Sequence, residues 1–136
     1  GSPSSASAVT GADAFSKINT LNSKITSDSD LQYIRLDGSN SYLVYRKIGN
    51  IVTVYAFHKV SSGAIAAWGN MFFTNSFPTE YRPKIDQIAR CVSDRASSEG
   101  CCLIVNASNG NVYIAGRYTG ASDSNDILQA SVTYAV

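Results

Sequence analysis

Few side chains in this chain could do chemistry. It holds one histidine, His58, and one tryptophan, Trp68, which closes the Ser-Gly-Ala-rich loop that follows that histidine. An indole face stacks on the apolar face of a pyranose while neighbouring polar groups bind its hydroxyls, so Trp68 reads as a sugar platform. His58 would hydrogen-bond a sugar hydroxyl or a phosphate nearby. The competing structural readings are a Trp that caps one end of the core and a His satisfied within its strand. Asp37, Glu99 and Asp123, together with Asn40, Asp94, Arg95, Asn125 and Asp126, add polar groups in loops. Asp and Asn also serve turns by bonding their own backbone, so roughly two or three of these are expected to touch a ligand.

Catalysis fits the sequence less well. A Ser-His-Asp set around His58 lacks a nucleophile elbow. Paired carboxylates for glycoside hydrolysis could come from Asp94, Glu99 or Asp123, but nothing in the sequence buries one of them to raise its pKa. Neither a P-loop nor a dinucleotide fingerprint is present. The three cysteines, Cys91, Cys101 and Cys102, are odd in number and include an adjacent pair, a poor disulfide framework. With a single His they make no zinc set, so no metal and no cofactor are expected. They read as small hydrophobes in paired strands. A bridge from Cys91 to either of the other two stays open, because a hairpin could bring them together.

The composition narrows the class. A chain of 136 residues holds one domain, and its 44% hydrophobic content supplies a packed core. Charged residues make up 15%, well under the usual share of roughly 25%. Ser, Thr, Asn, Gly and Tyr fill the surface instead, as in extracellular β proteins that bind sugars. The net charge is +1, and apart from Arg46-Lys47 and Arg82/Lys84 the cations are scattered. That argues against nucleic acid, which needs several phosphate-neutralising cations on one face. No run approaches the ~18 apolar residues of a membrane span, so no membrane insertion is expected. Gly1-Ser2 reads as a cloning scar, and the chain as a fragment whose natural N-terminal part is missing.

The elements that must position these residues divide into a stalk and a head. Residues 1–12 read as a flexible Ser/Ala/Gly leader. Over 13–28 a short helical stalk is expected, because Ala14, Ile18, Leu21 and Ile25 follow the a/d rhythm of a coiled coil. So short a helix is marginal alone, and its stripe must pack on the head or on copies of itself. Ser27-Asp28-Ser29-Asp30 ends it. The head, 29–136, has strands expected near 31–36, 42–48, 51–60, 69–73, 87–95, 100–107, 112–118 and 127–134. In the third, Val52, Val54, Ala56 and Val60 oppose Ile51, Thr53, Tyr55 and Phe57, so it is apolar on both faces and belongs at the centre of a sheet or at an interface. Gly49-Asn50 and Ser108–Asn111 are hairpin turns. Many short strands with almost no helix predict an all-β fold, an antiparallel β-sandwich or jelly-roll barrel.

If each strand reverses direction, loops alternate between two ends. The Gly49-Asn50 turn, the segment around Phe77–Pro83 and the Ser108–Asn111 turn then share the stalk end with both termini. The loops 37–41, 61–68, 96–99 and 119–126 share the far end, where binding residues on a rigid scaffold concentrate. The expected site is a far-end cleft bordered by Trp68 and His58, with Asp37, Glu99 and Asp123 nearby.

Two segments carry a resemblance. Tyr42–Phe57, YLVYRKIGNIVTVYAF, followed by FPTEYRP at Phe77–Pro83, resembles the distal domain of tail receptor-binding proteins from phages of Gram-positive hosts. There a Y-R-K-x-G-N-x-V-T-V hairpin precedes an aromatic-or-Leu-Pro-x-x-Tyr-Arg-Pro crossing. The likeness spans roughly 31–136 in pattern and these two segments in residues. It implies that Pro78, Tyr81 and Pro83 wrap one end of the barrel, with Phe77 in place of the usual Leu. It further implies non-enzymatic host adhesion through a cell-wall saccharide, a homotrimer joined to other tail or baseplate proteins through its N-terminus, and a virion location after assembly in the bacterial cytoplasm. No ligand residue transfers position by position, so the expected site rests on loop topology. The same fold would serve a purely structural trimerisation module of a tail or baseplate, or a carbohydrate-binding module of a secreted bacterial protein.

Overall fold

The computed structural model describes residues 11–26, 28–94 and 100–136, and from 20 to 26 the backbone alone. Helix α1 covers Gly11–Thr26. The expected leader lies outside the described residues up to position 10, and its last two residues belong to α1. All side chains described in α1 are exposed, Phe15 at 65% and Ile18 at 54%. Ala14 and Ile18 therefore do not pack on the head of their own chain, while Leu21 and Ile25 lie outside the described side chains.

The head is two packed antiparallel sheets, a β-sandwich. Strands β1 (Gln32–Asp37), β2 (Ser41–Ile48), β3 (Ile51–Lys59), β9 (Ile127–Ala135) and β6 (Val92–Ser93) form one sheet in the order β1-β2-β3-β9-β6. The second sheet has the order β4-β8-β7-β5, from Asn70–Thr74, Val112–Gly116, Cys101–Val105 and Gln87–Arg90. β2 and β3 close a hairpin in which Ile48 faces Ile51 across the two-residue Gly49-Asn50 turn, with Gly49 at φ 59°. That left-handed angle is why a Gly stands there. Alternation then decides the faces. Leu43, Val52, Val54, Ala56 and Leu128 point between the sheets and are fully buried, against Leu103, Val105, Val112 and Ile114 of the other sheet. β3 is central, between β2 and β9, and its second apolar row, Ile51, Tyr55 and Phe57, lies on the outer face.

One expected strand is two. The run 87–95 divides at Cys91: β5 pairs with β7 in the second sheet, and β6 pairs with β9 in the first. A chain that passes between sheets must bend at the corner. Cys91 is the buried pivot, its backbone N–H donating to the Cys101 carbonyl at 3.0 Å.

The expected far-end loop 96–99 lies outside the described residues, and the described loops sort to the two ends as alternation requires. Val136 N–H donates to Asn50 O at 2.8 Å, Ser29 N–H to Lys47 O at 2.8 Å and Gly49 N–H to Asp28 Oδ1 at 2.5 Å, so both ends of the head meet the Gly49-Asn50 turn. Phe77 and Tyr81 plug the same end. Each packs with Tyr45 at a ring-centroid distance of 4.8 Å, and Tyr134 donates its hydroxyl to Tyr81 O. Arg82 folds back to donate from Nε to Phe77 O at 2.8 Å.

Of the cysteines, Cys91 and Cys101 are core residues, while Cys102 is half-buried on the outer face of the second sheet. All three are free thiols. Burial pushes the Cys91 thiol up to about 12, and burial also raises that of Cys101.

Candidate functional site

The far end is built on two loops locked together. Ile65 and Ala121 exchange N–H···O=C bonds of 2.7 Å in both directions, and Trp68 N–H donates to Arg117 O at 3.1 Å. The backbones approach so closely that a Cβ at Gly120 would collide with the Ile65 carbonyl oxygen. This lock carries Trp68 and Tyr118, whose rings meet edge to face at 5.3 Å and 73°. Both face solvent, Trp68 at 66% and Tyr118 at 85% exposure. Trp68 is the one non-glycine residue with positive φ among those described, at 62°. A bulky side chain there is uncommon and costs backbone energy, so the surrounding bonds hold it against that cost. The result is a rigid, exposed aromatic pair suited to stacking on a flat apolar ligand surface.

His58 has a different place from the one expected. It is 1% exposed, at the end of β3 beneath the 60–63 turn. Nε2 lies 2.7 Å from Gly63 O and must donate to it, so Nδ1 accepts from Ser41 Oγ at 2.8 Å. With both nitrogens engaged inside the chain, His58 supports the loop and borders no ligand cleft. Burial also lowers its pKa, against a smaller opposing effect of the Gly63 carbonyl.

Asp37, Asp123 and Asp94 each serve a local bond. Asp37 accepts from the Ser62 hydroxyl and ties the β1–β2 turn to the 60–62 turn. Asp123 closes its own turn, Oδ1 accepting from Asn125 N–H and its carbonyl from Asp126 N–H, each at 2.9 Å. Asp94 caps the start of β9 through Ile127 N–H at 2.9 Å. Asp126 is fully buried, and Asn40 joins the strands through its backbone, its carbonyl accepting from Lys59 N–H at 2.6 Å. Glu99 and Arg95 lie outside the described residues. Among the described residues no group of His, Cys, Asp and Glu could hold a metal ion.

Two features escaped the sequence reading. Tyr118, the partner that makes Trp68 a pair, was expected as the last residue of the strand near 112–118, but that strand ends at Gly116 and leaves it in the loop. The other is a hollow of about 420 Å³ on the outer face of the five-stranded sheet, lined by Tyr33, Arg35, Ser39, Tyr42, Val44 and Tyr55. Register alone brings these residues together, Tyr33 opposite Val44, Arg35 opposite Tyr42 and Val44 opposite Tyr55.

Comparison with protein-family models and with curated proteins gives no match for this chain. No described helix is long and apolar enough to cross a membrane.

Proposed function

We propose that the chain is a glycan-binding adhesion domain, the distal receptor-binding head of a phage tail or baseplate, which recognises a bacterial cell-surface saccharide without chemistry. The single observation that carries this is the Trp68–Tyr118 pair, rigid, exposed, and set at the end opposite both ends of the head. A tail-borne head presents that end to its target. Saccharide binding by two aromatic faces needs no acid–base pair, and Asp37, Asp94 and Asp123 each spend an oxygen on a local donor instead. The same proposal takes the head as a jelly roll on a helical stalk. It also takes the chain as a homotrimer, since the exposed apolar stripe of α1, with Phe15 and Ile18, needs a partner that its own head does not give.

A glycan array probed with the whole chain, with its mass in solution measured in parallel, tests this. The expected outcome is a trimer that binds bacterial wall saccharides and loses them on Trp68→Ala. A trimer that binds no saccharide would favour a structural module of the tail. A monomer with a Trp68-dependent site would favour a free carbohydrate-binding module.

A further inference from the structure

The outer face of the five-stranded sheet is unusual in its charge. The charged residues that alternation turns outward on its strands are Arg35 of β1, Arg46 of β2 and Lys59 of β3, all cationic. Among the described residues no acidic side chain occupies an outward position there. Asp37, past the bulge at the end of β1, pairs with inward-facing Ser41 and is held by Ser62. In a chain of net charge +1 this is segregation rather than excess.

The aromatic residues of the same face hold one of these cations in place. The Arg35 guanidinium lies 4.5 Å from the Tyr33 ring centre and 5.4 Å from that of Tyr42, and donates to Gly38 O at 3.1 Å. Tyr42 in turn stacks on Phe57 at 5.2 Å and 16°. A guanidinium stacked in this way keeps its in-plane N–H groups for an anion, and the hollow around it is lined by no carboxylate that would take them. A second hollow of about 350 Å³ is lined by Tyr55, Gln129, Val92 and, from the end of β5 in the other sheet, Arg90, so Tyr55 is a wall of both hollows. Gln129 Nε2 donates to the Tyr55 hydroxyl at 2.7 Å, which leaves the phenol's own O–H to donate to a ligand.

We propose that this face is a second ligand site, a groove from Arg35 to Arg90 that takes a chain of acidic saccharide units. Sugar rings stack on Tyr33 and Tyr55, and their carboxylates or phosphates meet the two guanidinium groups. Aromatic walls lie between a cation in each hollow, an order that suits an alternation of ring and anion. Charge complementarity selects this occupant over a neutral glycan. The site shares no residue with the Trp68–Tyr118 pair, so it stands or falls independently of the adhesion reading.

Calorimetric titration of the whole chain tests it, with tetragalacturonate as the carboxylate probe and phosphopentamannose as the phosphate probe. The methyl ester of the first and unphosphorylated mannopentaose are the neutral controls. At least one acidic oligosaccharide should bind, its neutral control should not, and affinity should fall as salt rises. Which probe binds more tightly tells carboxylate from phosphate. Arg35→Gln, at an exposed position, should weaken binding by about tenfold or more. Arg35→Lys should weaken it less, and Trp68→Ala should leave it unchanged. The proposal is overturned if neither acidic probe binds, if the neutral controls bind equally, or if affinity follows Trp68 rather than Arg35. It is equally overturned if Arg35→Glu splits an oligomer into monomers, because the face would then be a contact between copies.

Discussion

Replacing Trp68 by alanine and, separately, by glycine divides what its indole does from what its backbone costs. At 66% exposure, about one third of a side chain of roughly 250 Å² is buried, some 80 Å². At ~25 cal/mol per Å² its removal costs about 2 kcal/mol, and somewhat less against a compact unfolded chain. Both variants lose that amount together with the Tyr118 contact, so comparing them cancels it. What remains is the left-handed backbone at φ 62°. An alanine there keeps a strain of about 1–2 kcal/mol that a glycine lacks. The greater freedom of glycine in the unfolded chain gives back about 0.4–1 kcal/mol. Trp68→Gly should therefore be the more stable variant by about 0.5–1 kcal/mol, a few degrees in Tm for a domain of this size. Urea and thermal unfolding measure this. Saccharide affinity should fall equally in both, by about 2 kcal/mol or near thirtyfold, as for the loss of an aromatic anchor. A glycine variant no more stable than the alanine variant would refute the strained-platform reasoning, and full affinity in either would refute the role of the indole.

Three further outcomes follow from the packing. A thiol reagent should label Cys102 slowly in the native protein, and Cys91 and Cys101 only on unfolding, because both are buried with raised thiol pKa values; rapid native labelling of Cys91 would contradict the corner at which β5 passes to β6. Burial holds His58 below its ordinary 6.5, so below about pH 6.5 the unfolded chain takes up the proton first. Stability should fall as pH drops from there to the lower folded-state value and then level off for this group, and His58→Gln should flatten that limb in a series of urea titrations. Gly120→Ala, whose methyl would meet the Ile65 carbonyl, should cost about 1–3 kcal/mol by overpacking; an unchanged Tm would mean that the far-end loops are not locked.

The strands were legible because their signal is local. Alternation in 41–48 and 51–59 names the core side directly, and Gly49-Asn50 fixes the hairpin register. Loop alternation followed from strand count, which is why the two ends sorted as expected. The break at Cys91 was hidden because Arg90, Cys91 and Val92 keep an out–in–out pattern through the bend, so nothing in the sequence marks the change of partner. His58 misled for a similar reason. Its position in a strand was clear, but not that its neighbours Ser41 and Gly63 would bring one polar group to each ring nitrogen. Tyr33, Arg35, Tyr42 and Tyr55 lie on three strands and become one surface only through register. Long-range pairing decides such sites, and a single sequence carries little of it.

The location of a bound wall saccharide decides most. Backbone amide shifts of the whole chain, titrated with a neutral saccharide selected on the array, should change around 66–69 and 117–119, beside Trp68 and Tyr118, and stay fixed around Phe77–Arg82. Shifts centred on the FPTEYRP segment and the Gly49-Asn50 turn, with none at Trp68, would contradict adhesion through the end opposite the stalk.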